Sequence, residues 1–317
     1  MSCEAEARKR VIYRVTFVGF VVNLVLTAMK FAAGIVGRSG AMVADAVHSC
    51  SDMATDVVVI AFAKISAKPR DDGHDYGHGK YETLATIIIS LALAAVGAGI
   101  LLSSIRAIRI VVDGGELPRP GAVALAAAVV SIVIKEILYR YTVREGCRVE
   151  SPSMVANAWH HRSDALSSVG SFVGILGARM GYPILDPVAS IVICAMILYA
   201  AYEVFADAMN KMVDRSCDAE TSSRLEALIE KVPGVEHVDS LYTRMFGSRI
   251  YVDVEISVKD DLTLLAAHHI AETVHTAIEA NFPLVKHCMV HVNPVSETHH
   301  DLCPVLPPEL RPGAEHK

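Results

Sequence analysis

The sequence predicts a helical membrane protein of six spans followed by a small α+β domain, and three observations carry that reading. Of its 317 residues 52% are hydrophobic, with a mean hydropathy of +0.39, more apolar than an ordinary soluble domain. Apolar stretches of about 20 residues or more recur, and such a helix crosses a hydrocarbon core of about 30 Å. After about Val213 the composition changes to charged, mixed sequence of soluble type.

The predicted spans are, in order, Val11–Ile35, Ala41–Ile65, Tyr81–Ile105, Gly121–Tyr141, Met154–Ala178 and Leu185–Ala208. The first run is full length and lacks a small-residue cleavage site after a short core, so it reads as a helix rather than a removable signal. Cations set the orientation. Arg8, Lys9, Arg10, Arg14, Lys64, Lys68, Arg70, Lys80, Arg140, Arg144, Arg148, Lys211 and Arg215 all fall on one side, against Arg38, Arg106, Arg109, Arg119 and Arg179 on the other. The positive-inside rule therefore places both termini in the cytoplasm, with the lipid bilayer as the first partner.

In the C-terminal part, "CDAETSSRLEALIEKV" has helical periodicity, and "HVDSLYTRMF" and "RIYVDVEISV" alternate like strands about a Gly247–Ser248 turn. A helix over Leu262–Asn281 and a strand "KHCMVHV" complete an α-β-β-α-β order, a two-layer α+β domain. The expected division is a transport domain over 1–212, a cytoplasmic domain over 213–296 and a disordered His/Pro-rich tail over 297–317. Seven scattered cysteines without CxxC read as reduced thiols, with Cys50 and Cys194 as small core residues. A formal net charge of -6 gives no reason to expect a nucleic-acid partner.

Chemistry enters with "ADAVHSCSD" and "NAWHHRSDALSS", which repeat HxxxD inside apolar spans. At 100° per residue, Asp45, His48, Asp52 and Asp56 share one face of the second helix, and Asn157, His160, His161, Asp164 and Ser168 share one of the fifth. With the two helices antiparallel, His48 and Asp52 lie roughly 13–20 Å from the outer end of the second helix, and His160 and Asp164 of the fifth fall at a comparable level. A charged side chain at the bilayer centre costs about 2.5–3.5 kcal/mol on insertion scales, so several in register require a reason. Two imidazoles and two carboxylates match the donors and tetrahedral geometry that Zn²⁺ prefers.

Together "SGAMVADAVHSCSD", "DDGHDYGHGKYETL", "NAWHHRSDALSS" and "YPILDPVAS", in this order, resemble the cation diffusion facilitator family over nearly all of the chain up to about Pro294. The resemblance implies a homodimeric exporter that exchanges a cytoplasmic divalent metal for protons, with a ferredoxin-like cytoplasmic domain and no organic cofactor. Carried over, the transport site is His48, Asp52, His160 and Asp164. Imidazole donors favour Zn²⁺, or Cd²⁺, over Mn²⁺, with Fe²⁺ an alternative. They also titrate near neutral pH, so metal and proton compete.

The resemblance implies a second metal site at Asp71, His74 and His78 in "RDDGHDYGHGK", and a third at Asp239, Glu255, His268 and His291 in the C-terminal domain. There Asp239 and Glu255 stand where the better-known bacterial pattern has histidines, and Asn293 where it has an aspartate, which points to a single weaker site drawing on His299, His300 or Cys303. Lys80 and Asp214 match a charge interlock of the family. Other residues read as structural: Asp186 with Pro187 as the opening of the sixth helix, Gly170, Gly174 and Gly177 as a packing seam, and Lys135 and Glu136 as snorkelling or paired charges. A metalloenzyme would need an open coordination position and a general base, and HExxH is absent; a sensor or assembly scaffold on this fold would tend to lose the membrane ligands, which are present.

Overall fold

The computed structural model describes residues 2–66, 68–69, 71–149 and 151–296. The tail over 297–317, with His299, His300 and Cys303, lies outside the described residues, as do the side chains of Asp56 and Lys64. Six long helices come first: α1 (Ser2–Val36), α2 (Gly40–Ser66), α3 (Lys80–Val112), α4 (Ala122–Arg148), α5 (Pro152–Arg179) and α6 (Leu185–Met212). Then follow α7 (Ala219–Ile229), β1 (His237–Phe246), β2 (Arg249–Val258), α8 (Leu264–Asn281) and β3 (Val285–Pro294). The chain forms two compact units, Met1–Ala67 with Tyr81–Met209, and Lys68–Lys80 with Asn210–Lys317. The predicted loop before the third helix thus goes with the C-terminal domain.

In the first unit, small residues let the helices approach. Ala33, Ala41, Ala124, Ala127 and Ala128 are buried with Met42 and Ile175 where α1, α2, α4 and α5 meet. Side chains such as Phe17, Ile88, Val173 and Tyr199 point outward and are more than half exposed, as lipid-facing positions must be. Among the described residues, four helices, α3, α4, α6 and Arg10–Val36 of α1, are long and apolar enough to cross a membrane. Of the two helices that carry the polar stripes, α5 falls below that measure because His160, His161, Arg162 and Asp164 interrupt its apolar run.

Three structural readings change. Asp186 does not cap its own helix: it sits inside the first turn of α6, and its carboxylate accepts hydrogen bonds from the Ser39 hydroxyl and, at 2.8 Å, the Gly40 amide. It therefore satisfies the free N–H groups that open α2. The glycine seam is shorter than expected, since a Cβ at Gly174 or Gly177 would collide with Ala189 or Leu185 of α6, whereas Gly170 faces open space. Cys194 is buried as expected, but Cys50 is exposed.

The second unit closes on its own core. Asp218 caps α7 by accepting from the Thr221 amide at 2.8 Å. Strands β1 and β2 form an antiparallel hairpin and β3 runs parallel to β2, which makes α8 the crossover that parallel pairing demands. Leu225 and Ile229 of α7, Val252, Val254 and Ile256 of β2, and Val274 and Ile278 of α8 are buried together. Burial pushes the Cys288 thiol in this core up to about 12, so it stays protonated at neutral pH. The hairpin turn uses Gly247 at φ 64°, and a Cβ there would lie 2.7 Å from the Gly79 carbonyl oxygen. Gly247→Ala is accordingly expected to destabilise the C-terminal domain by about 1–3 kcal/mol, read as a lower thermal midpoint of the full chain in detergent.

Candidate metal centre

Helices α2 and α5 present their polar stripes to each other. Ligand-capable atoms of His48, Asp52 and Asp164 all lie within 4.8 Å of one another, the two α2 residues half-buried and Asp164 buried. The spacing i, i+4 on α2 stacks His48 over Asp52 on one face, as the helix period requires. The His48 Nδ1 atom is buried and has no hydrogen-bond partner among the described residues, an unusual state for an imidazole nitrogen. His160 stands apart from this trio: its side chain is 57% exposed, with Nε2 3.8 Å from Asp164 Oδ1. The neighbouring His161 is buried beside Gly19 of α1, its Nδ1 also without a partner.

The other oxygen of Asp164 meets a cation. Lys135 Nζ of α4 lies 3.3 Å from Asp164 Oδ2, with the lysine side chain 2% exposed. Lys135 thus pairs in the interior and does not snorkel, whereas Glu136 pairs on the surface with Arg140 at 2.8 Å.

A second buried lysine holds Asp45. Lys30 Nζ of α1 lies 2.8 Å from Asp45 Oδ2, 3.0 Å from Ser49 Oγ and 2.9 Å from Ser168 Oγ. The Asp45 carboxylate also accepts from Ser167 at 2.8 Å and from Ser168 at 2.9 Å. Asp45 therefore belongs to a closed network joining α1, α2 and α5, one helical turn from His48, and is not turned to the metal trio. Sequence reasoning missed Lys30. The signal was present, because it is the one charge within "FVGFVVNLVLTAMKFAAGIV", too far from either end of the run to reach water.

The loop before α3 gathers all three of its predicted residues. His74 Nδ1 lies 3.1 Å from Asp71 Oδ1, His78 Nε2 lies 3.4 Å from Asp71 Oδ2, and the two imidazole centroids are 4.3 Å apart. The hydrogen bond with His74, helped by the Gly73 amide, holds the Asp71 carboxyl below the usual carboxylate range. Within the same unit this loop is seated on the hairpin: Gly79 packs against Phe246, and Tyr251 donates to the Tyr76 carbonyl at 3.0 Å. Lys80 and Asp214 pair at 3.0 Å.

The C-terminal set is dispersed. A β-bulge between Val238 and Ser240 turns Asp239 out of register, and its carboxylate accepts from Ser257 at 2.7 and 2.8 Å and from Asn293 at 3.0 Å. Glu255 and His291 are register partners on β2 and β3, and His268 lies on α8. Among the described residues no group of three with ligating spacing includes any of these four.

Comparison with known proteins follows this geometry. Residues 16–213 match the family model described as the cation efflux transmembrane domain, and residues 217–295 the one described as the cation efflux protein, cytoplasmic domain. The chain is 33% identical over 300 residues to the manganese efflux system protein MneP of Bacillus subtilis, covering 92% of this chain and 99% of that one. It is 34% identical over 288 residues to metal tolerance protein C1 of Arabidopsis thaliana, covering 87% of this chain and 61% of that one. The magnetosome protein MamM of Paramagnetospirillum magneticum is 34% identical over 263 residues, covering 83% of this chain and 82% of that one. An apolar helical unit with paired imidazole and carboxylate stripes, followed by a small α/β cytoplasmic domain, is thus matched from residue 16 to residue 295, and the chain belongs to the cation diffusion facilitator family of membrane metal efflux transporters, not to an enzyme family.

Proposed function

We propose that this protein is a homodimeric, proton-coupled exporter of a divalent metal, Zn²⁺ foremost, working through His48, Asp52, His160 and Asp164. The observation that carries the reading is the approach of His48, Asp52 and Asp164 atoms to within 4.8 Å across α2 and α5. Zn²⁺ would take three donors there, and rotation of His160 toward Asp164 would supply a fourth. The metal needs neutral imidazole and ionised carboxylate, so protons arriving from the far side expel it. All six long helices span the membrane in this reading. Both termini lie in the cytoplasm of a bacterial inner-membrane protein, and the transport domain runs to about residue 212 ahead of a ferredoxin-like domain. The Asp71, His74 and His78 loop binds a second ion, and Asp239, Glu255, His268 and His291 contribute one weak regulatory site.

A second reading takes Mn²⁺ as the cargo, favoured by the 33% identity to a manganese efflux protein along 92% of this chain. Donor softness separates the two. In proteoliposomes loaded in parallel with Zn²⁺, Cd²⁺, Fe²⁺ and Mn²⁺, the expected order puts Zn²⁺ and Cd²⁺ ahead. His48→Asp is expected to raise the Mn²⁺ rate relative to Zn²⁺ by about tenfold. Unchanged relative rates for all four metals would remove His48 from the ligand set, and no metal-driven flux at all would favour a sensor or scaffold.

A further inference from the structure

Two lysines are buried among the helices, and they are held in different ways. A lysine ammonium has three N–H donors. Lys30 directs them at Asp45, Ser49 and Ser168, so its position is fully specified. Lys135 is equally withdrawn from solvent, yet its one ion pair among the described residues is with Asp164 at 3.3 Å. The carboxylate it faces is the same one that faces the His48 and Asp52 cluster. Asp164 therefore stands between a tethered monovalent cation on α4 and the place where a divalent cation would sit between α2 and α5. Two cations sharing one carboxylate in a poorly screened interior repel each other strongly.

We propose that Lys135 is an affinity-setting residue for transport: a tethered counter-cation that holds Asp164 when cargo is absent, is displaced or repelled when cargo binds, and by returning speeds cargo release. This inference rests on the assignment of Asp164 to the transport site. Its physical content is competition of charges and requires no change in the protonation of Lys135. The consequence is a site that binds divalent metal more weakly than its donors alone would dictate, as an exporter needs in order to let go on the far side. A lysine that served only to fill space or to brace α4 against α5 would act in the opposite sense, since its loss would loosen the site and weaken binding.

The sign of the effect is therefore the test. Zn²⁺ and Mn²⁺ transport would be measured in proteoliposomes at fixed pH for the wild type, Lys135→Met, Lys135→Gln, Lys135→Arg and Asp52→Asn. Removing the charge while keeping the length, as Met or Gln does, is expected to lower KM for both metals by about tenfold and to lower kcat as release becomes limiting. Arg keeps the charge and is expected to stay near the wild-type KM. Each variant is first checked for the wild-type elution volume in detergent, and the Met and Gln versions stand in for each other if one does not fold. If KM rises or is unchanged in both neutral variants, Lys135 is only a brace and the inference is overturned. If Asp52→Asn transports as the wild type does, the transport-site assignment itself fails, an outcome separate from the first.

Discussion

Asp164→Ala is expected to reduce metal flux, and the proton flux that metal drives, to the level of empty liposomes. The residue is the convergence point of the candidate centre: Oδ1 faces His160 Nε2 at 3.8 Å, Oδ2 faces Lys135 Nζ at 3.3 Å, and the carboxylate closes the cluster with His48 and Asp52. Its loss would remove a carboxylate from the cluster and leave Lys135 without its ion pair inside the bundle, so Asp164→Asn, which keeps the shape, is the companion variant. His160→Ala is expected to be milder, because that side chain is 57% exposed and stands outside the ligating trio. The check is simultaneous recording of a metal-sensitive and a pH-sensitive dye inside the vesicles. Calorimetric titrations in buffers of different ionisation enthalpy would count protons released per metal. Wild-type flux in both Asp164 variants would place the pathway elsewhere, and zero proton release with transport intact would replace antiport by facilitated diffusion.

The second large effect is on stability. Lys30 and Asp45 form an ion pair with both side chains 0% exposed, and removing one partner strands the other in the interior. Lys30→Met or Asp45→Leu alone is expected to cost about 3–5 kcal/mol, whereas the double replacement, which leaves no unpaired charge, is expected to recover most of that loss. Part of the network survives the double change: Ser167 still donates to the Asp164 carbonyl at 2.7 Å and Ser171 to the Ser168 carbonyl at 3.0 Å, while Ser168 keeps Ser131 of α4 at 3.3 Å. Unfolding in mixed micelles, read as a double-mutant cycle, measures the coupling. Additive losses would mean that the two charges do not act as a pair. A transport defect in the double variant with stability restored would show that the network also sets the positions of His48 and Asp164, its neighbours on α2 and α5.

Periodicity was sufficient for the elements that bury one face against water or lipid. The helices of the first unit were legible because apolar runs of spanning length have few other uses, and ends moved outward by several residues where α1, α3, α4 and α6 continue past the apolar core. In the C-terminal domain, alternation gave both hairpin strands at their observed bounds, and the crossover helix and last strand to within two residues. The two HxxxD stripes were legible for a related reason: i, i+4 spacing puts paired ligands on one face wherever the helix lies.

What the sequence alone determined, then, is which residues share a face and which helices carry charge into an apolar interior. The tertiary structure decided which charges meet. Spacing along one helix says nothing of the partner on another, so the stripe on α2 could not be divided in advance into Asp45, taken by Lys30 of α1, and His48 with Asp52, turned to Asp164 of α5. For the same reason Lys135, read from its position as snorkelling or paired, was found facing the Asp164 carboxylate, and Asp186, read as opening α6, was found capping α2. Asp239 was placed by a one-residue bulge that turns its side chain onto Ser257 and Asn293, a register event that strand alternation cannot announce. Each of these outcomes depends on contacts between residues far apart in the chain, where a buried charge or carboxylate takes whichever partner the packing of its neighbours brings within reach.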